Sequence, residues 1–284
     1  MIGYSVFRDI QQLRNEGCSQ RQTADVLHIS RVTVKRYWDM NEAEFEAQQP
    51  ARRPQPSKIP LVLREGSVFR LNATNKGNGL NLLFDILDNS IGACFFDPQY
   101  RGVLDSLNYG NEGVRQQKRI ALQQMDEDTI IQFIQKIHRV LKPSGYLFLW
   151  IDKFHLCSGS INHWIENTTF KVVDLITWEK DKYGMGYRSR RKSEYLVVIQ
   201  KKPHQAKSTW IDHSIPDVWK ESVTAEHPHS KPVQLQKRLI QATTDENAVV
   251  LDPCAGSFSV LKACTLAKRT FLGTDIDFAH PGEQ

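Results

Sequence analysis

The chain has 284 residues, 40% of them hydrophobic and 24% charged, with a formal net charge of +5. That balance fits an ordinary globular protein, and no run approaches the roughly 18 apolar residues of a membrane span. Cys18, Cys94, Cys157, Cys254 and Cys264 form an odd set with no CxxC pair, which argues against a disulfide framework or a zinc site and for a reducing compartment. The first residues also lack a signal-peptide core, so the expectation is a soluble, cytoplasmic protein with no membrane partner and no metal. The mild positive charge is compatible with an acidic partner but decides little.

From the N-terminus, Val6, Ile10 and Leu13 share one face of a first helix that Gly17 ends. Ser19 is placed to cap a second helix with apolar Ala24, Val26 and Leu27. After a turn at His28-Ile29, Ser30 is placed to cap a third helix. There Val34, Tyr37 and Trp38 point inward and Arg31, Thr33, Lys35 and Arg36 outward. The stretch from Pro50 to Pro60 is dense in proline and basic residues and reads as an extended linker. The expected division is a unit over 1–48, a linker over 49–60 and a body over 61–284.

The body alternates strand and helix, which predicts a mostly parallel sheet with helices on both faces. Strands are expected at Ser67–Leu71, Ile91–Phe96, Gly145–Ile151, Phe170–Trp178, Glu194–Gln200, Ala248–Leu251 and Thr270–Gly273. The clearest helices are Asp128–Leu141 and Pro232–Thr243. In such sheets ligands sit beyond the C-terminal ends of strands.

Those ends carry the informative motifs. Asp97-Pro98-Gln99-Tyr100 follows the apolar strand GACFF and resembles the Asp-Pro-Pro-Tyr catalytic tetrad of amino methyltransferases acting on adenine. Asp252-Pro253-Cys254-Ala255-Gly256-Ser257-Phe258 follows the strand AVVL and resembles their cofactor motif Asp-Pro-Phe-x-Gly-Ser-Gly. Gln99, Cys254 and Phe258 depart from the two patterns. Asp275 stands after the next strand, where a carboxylate can accept ribose hydroxyls. His227-Pro228-His229-Ser230-Lys231-Pro232 resembles an element preceding the cofactor motif in beta-class DNA methyltransferases. Leu141-Lys142-Pro143-Ser144-Gly145, Trp178-x-Lys180 and Glu194 extend the likeness. The tetrad precedes the cofactor motif, the permuted order of that class. The N-terminal unit resembles the helix-turn-helix of transposases and resolvases at Gly17, Ser19, Ala24, Leu27, Ile29, Ser30, Thr33, Val34 and Tyr37, with His28 where that pattern prefers glycine.

The resemblance implies a circularly permuted, Rossmann-like, S-adenosylmethionine-dependent methyltransferase fold. It implies a mostly parallel seven-stranded sheet, the strand at Ser67–Leu71 being the displaced one, plus a small all-α helix-turn-helix domain. The implied activity is methylation of adenine N6 in double-stranded DNA after flipping of the base. Asp97, Pro98, Gln99 and Tyr100 would be catalytic, and Asp97, Lys231, Asp252, Pro253, Cys254, Ala255, Gly256, Ser257 and Asp275 would surround the cofactor. DNA contacts are expected from Arg31, Thr33, Lys35 and Arg36, and from Arg188, Arg190, Arg191 and Lys192 in a glycine-containing basic loop. Members of the class are often dimers, and no sequence feature here decides for or against a homodimer. Two other readings stay open: an RNA adenine methyltransferase, and a DNA-binding regulator with a decayed methyltransferase body.

Overall fold

The computed structural model describes residues 2–48, 60–99, 124–184, 188–222 and 230–276. The expected linker up to residue 59 and the motif residues Tyr100, His227, Pro228 and His229 lie outside them.

The chain begins with helices α1 (Tyr4–Asn15), α2 (Gln20–Leu27), α3 (Arg31–Tyr37) and α4 (Glu42–Gln48). Ser19 caps α2 in a reciprocal box with Gln22, and Ser30 caps α3 through Thr33. Gly17 at φ +83° follows α1, and His28 at φ +51° ends α2. Glycine is the residue that adopts such a left-handed backbone most readily. Val6, Phe7, Ile10, Ala24, Val34 and Tyr37 form a small core. Helix α4, which the sequence reading did not anticipate, adds Phe45, stacked on Phe7 with ring centroids 4.2 Å apart. Val26 does not join this core: it is 57% exposed, because α2 turns its Thr23 and Ala24 inward instead.

The body contains β1 (Asn75–Lys76), α5 (Gly79–Asp85), β2 (Ile91–Phe96), α6 (Glu127–Val140), β3 (Leu141–Ile151), α7 (Lys153–Ser158) and α8 (Ser160–Ile165). It continues with β4 (Phe170–Glu179), β5 (Ser193–Lys201), β6 (Val218–Lys220), α9 (Val233–Thr243), β7 (Val249–Asp252), α10 (Ser259–Ala267) and β8 (Thr270–Asp275). One sheet runs β1-β8-β7-β2-β3-β5-β4-β6. Among the described strands only β5 runs against its neighbours, β3 and β4. The sheet is therefore mixed and mostly parallel.

Strand β2 shows why the sheet is covered on both sides. Cys94 and Phe96 join one apolar layer with α5, α6 and α8, while Ala93 and Phe95 join the other with α9 and α10. A strand buried on two faces reads as an unbroken apolar run, which GACFF is.

Two expectations about the sheet need correction. Residues 67–71 are not a strand, and the edge partner of β8 is β1, paired as Asn75↔Thr274 and Lys76↔Asp275. Asparagine side chains explain the change. The Asn72 backbone N–H donates to the Phe271 carbonyl and its Oδ1 accepts from the Phe271 N–H, both at 2.8 Å. Asn75 Nδ2 donates to the Arg70 and Gly273 carbonyls. These bonds satisfy the edge without a main-chain ladder, and Val68 is left 82% exposed. Secondly, the sheet has eight strands rather than seven, because β6 adds alongside β4. Strand β3 also begins earlier than expected: Leu141 already pairs with Ile91, and residues 142–145 bulge before Tyr146 resumes opposite Ala93.

The N-terminal unit touches the body at α9 and β6. Arg238 donates to the Leu27 carbonyl at 3.3 Å, Asp9 lies 3.9 Å from Lys237, and the His28 ring packs 5.1 Å from that of Trp219. Among the described residues, no helix is long and apolar enough to cross a membrane.

Candidate active site

The parallel block β1-β8-β7-β2-β3 directs its C-terminal ends to one edge. That edge gathers Asp275 at the end of β8, Asp252 at the end of β7 and Asp97 just after β2. Because β5 is antiparallel, its first residues reach the same edge, so Glu194 arrives opposite Trp178 of β4, with Lys180 just beyond. Lys231 enters from the segment before α9. Glu221 accepts from the Gln234 and Leu235 N–H groups at 2.9 and 3.1 Å, fixing the first turn of that helix.

The acidic and basic groups alternate. Lys231 Nζ lies 2.8 Å from Asp97 Oδ2 and 2.9 Å from Glu194 Oε2. Lys180 pairs with Glu194 Oε1. The Lys231 cation also sits 4.9 Å from the ring centroid of Trp150, a buried β3 residue. Burial works to lower the Lys231 pKa, but Asp97 and Glu194 prevail and raise it above that of an ordinary lysine. Burial likewise works to raise Glu194, yet Lys231 and Lys180 bring it down to about 2. Asp97 is raised from the usual carboxylate value by burial, against the opposing pull of Lys231. Pro98 is buried, and the Gln99 carbonyl accepts from the Met125 N–H at 2.7 Å, which holds the start of the tetrad.

The second motif forms a turn between β7 and α10. Asp252 Oδ1 accepts from the Cys254 N–H at 3.3 Å, and Ala255 N–H donates to the Thr274 carbonyl at 3.0 Å. Gly256 adopts φ +49° and its N–H donates to Asp275 Oδ2 at 2.9 Å. A Cβ there would meet nothing within 4 Å, so the turn is open on that side. Gly79 closes the other side, where a Cβ would fall 2.2 Å from the Pro253 carbonyl, so α5 approaches only because glycine stands there. Phe258, in place of the motif's last glycine, keeps the left-handed φ of +56°. Its ring is buried 6.0 Å from that of Phe271, so it fills the core under α10 rather than the open side of the turn. Burial pushes Asp252 up to about 8; the Cys254 N–H opposes this, and the nearby Asp97 and Asp275 add to it. Three carboxyl groups thus neighbour one another, and a positively charged ligand beside them would favour the ionised form of Asp252.

The expected DNA contacts divide. Arg31, Lys35 and Arg36 are exposed on α3. Thr33 is half-buried and engaged in the cap, its Oγ1 2.8 Å from Ser30 Oγ, while Val32, passed over in the sequence, is 80% exposed. Arg188 and Arg190 are exposed beyond β4, and Arg191 is half-buried. Lys192 pairs with Glu179 at 2.5 Å and closes the base of the hairpin. Residues 185–187 of that loop lie outside the described residues. Glu194 and Lys180, which motif reading named without a role, join this edge. Glu194 reaches this edge because β5 is antiparallel, and Lys180 because it follows the C-terminal end of β4, and a sequence pattern does not state those strand directions.

Residues 95–280 match the DNA methylase family that groups N6 and N4 enzymes. The chain is 54% identical over 211 residues to Type II methyltransferase M.HhaII of Haemophilus parahaemolyticus, covering 73% of this chain and 92% of that protein. It is 26% identical over 223 residues to Type II methyltransferase M2.MboI of Moraxella bovis, covering 70% and 81%. Among solved structures, the PvuII DNA methyltransferase (cytosine-N4-specific) aligns with a TM-score of 0.55 at 15% identity, over 74% of this chain and 86% of that one. The M1.HpyAVI–SAM complex aligns with a TM-score of 0.50 at 19% identity, over 71% and 91%. At these identities the structural likeness is one of fold.

Proposed function

The chain belongs to the DNA methylase family, and from that premise we propose that it methylates the N6 amino group of adenine in duplex DNA. The cofactor is S-adenosylmethionine, which when bound supplies a methyl group on a sulfonium carrying positive charge. The carboxylate group formed by Asp97, Asp252 and Asp275 around the Gly256 turn fits that charge, and Asp275 is the residue placed for ribose hydroxyls.

The observation that carries the reading is Asp97, presented at the end of β2 beside the Asp252–Gly256 turn with one oxygen tied to Lys231. An exocyclic amine is a poor nucleophile because its lone pair is delocalised into the ring. Acceptors at Asp97 and at the Pro98 carbonyl would take its two N–H groups, localise the lone pair and aim it. The amine is inaccessible within a duplex, so the base has to leave the stack. The resemblance assigns Tyr100 to stack on it, an interaction of about 1–3 kcal/mol. Positioning then supplies most of the rate. An aspartate rather than a serine at the head of the tetrad favours adenine over cytosine N4. The exposed Arg31, Lys35 and Arg36 of a helix-turn-helix, with Arg188 and Arg190 beside the catalytic edge, would hold the DNA backbone.

Asp97→Ala tests the assignment. Methyl transfer should fall by about 10³-fold or more, well beyond any loss of cofactor affinity measured by calorimetry. A variant that still methylates at a similar rate would remove Asp97 from the mechanism.

A further inference from the structure

Glu194 and Lys180 belong to the charge row but have no part in the reaction as described above. Neither touches the cofactor turn. Glu194 divides its oxygens, Oε1 to Lys180 and Oε2 to Lys231, so one carboxylate joins two cations. Lys180 is itself held, its Nζ 4.9 Å from the Trp178 ring centroid and its main-chain N–H donating to the Lys192 carbonyl at 2.7 Å. Lys231 is a point charge on a flexible stem, with three donors and no built-in direction. Its direction comes from what surrounds it: Glu194 on one side, the Trp150 ring on another, and Asp97 Oδ2 as the remaining acceptor.

We propose that Glu194 is a positioning residue for methyl transfer: held by Lys180, it holds Lys231 against Asp97 Oδ2 and so leaves Oδ1 as the oxygen that meets the target amine. The inference rests on the reading of Asp97 as acceptor of that amine. It assigns Glu194 an effect on turnover rather than on cofactor binding, since its contacts lead to Asp97 and not to Asp252 or Gly256.

The charge order gives a signature that simple loosening would not. Asp97 is faced by Lys231 from the segment before α9, by Lys180 after β4, by Glu194 at the start of β5 and by Asp252 at the end of β7. Cys254 in the turn lies in the same field, and Asp275 adds to it through Asp252. Removing the negative charge of Glu194 lets the two lysines act unopposed, which lowers the Asp97 pKa. Removing the positive charge of Lys180 raises it. Neutralising either of two directly bonded partners therefore moves the same titration in opposite directions.

The test uses the full chain, S-adenosylmethionine and unmethylated genomic DNA. Single-turnover methylation is followed against pH for the wild type, Glu194→Gln and Lys180→Gln, with cofactor affinity measured by calorimetry. Glu194→Gln should lose about tenfold or more in plateau rate, with cofactor affinity within about threefold, and its acid limb should move to lower pH. Lys180→Gln should move that limb to higher pH. Lys180 is partly exposed, so this variant carries the test if Glu194→Gln does not fold. Unchanged rates and limbs, or limbs that move together, would overturn the proposal. Asp97→Asn serves as the control: full activity there would overturn the Asp97 reading itself, independently of Glu194.

Discussion

At the scale of single residues, Asp252 carries the most readily measured consequence. Burial and its carboxylate neighbours push it to about 8, so at pH 7 it is mostly protonated in the cofactor-free protein. A cation bound beside it favours the carboxylate and lowers that pKa. Cofactor binding near pH 7 should therefore release a proton, and affinity should rise with pH up to about 8 and then level off. Calorimetry at pH 7 in two buffers of different ionisation enthalpy should show heats that differ by up to about one released proton, and by none for Asp252→Asn. Identical heats in both buffers for the wild type would count against the placement of the cofactor. The sequence named Asp97, Asp252 and Asp275 because each stands at or just after a strand end, and Lys231 because it lies in a short motif just before a helix. It gave Glu194 and Lys180 no role, because Glu194 meets Lys231 across 37 residues of chain and through strand direction, which no local pattern encodes.

At the scale of elements, the central strands were readable because each is an apolar run between turn signals: β2 lies where GACFF predicts it, and β4, β5, β7 and β8 shift by only a residue or two. The errors fall at the edges. Residues 67–71 look like a strand, yet side-chain bonds of Asn72 and Asn75 replace the ladder, and β6 is too short to show an alternation. Helix α3 was placed by its Ser30 cap and by Val34 and Tyr37, and its exposed cations now permit a separate test. If α3 lies on DNA, replacing Arg31, Lys35 and Arg36 by Gln should weaken binding. The salt dependence should flatten by about 0.9 for each phosphate that is no longer neutralised, with cofactor affinity unchanged. An unchanged slope would mean that the N-terminal helices serve another purpose.

At the scale of the molecule, chain order and spatial order differ, and the difference builds the site. The strand bearing Asp97 comes before the strand bearing Asp252 in the sequence, yet β2 and β7 are neighbours in the sheet and deliver both carboxylates to one edge. The antiparallel β5 then brings Glu194 to that edge from the opposite direction. The contacts of Leu27 and His28 with Arg238 and Trp219 place the N-terminal unit against α9, the helix that follows Lys231. Family membership fixes an amino methyltransferase of DNA, whereas the choice of adenine rests on the chemistry proposed for Asp97. The most direct measurement is nucleoside mass spectrometry of unmethylated genomic DNA incubated with the protein and S-adenosylmethionine, beside the Asp97→Ala variant and a parallel RNA sample. N6-methyladenine in the DNA, absent with the variant, is the predicted result; N4-methylcytosine in its place, or methylated RNA with unmodified DNA, would contradict the account.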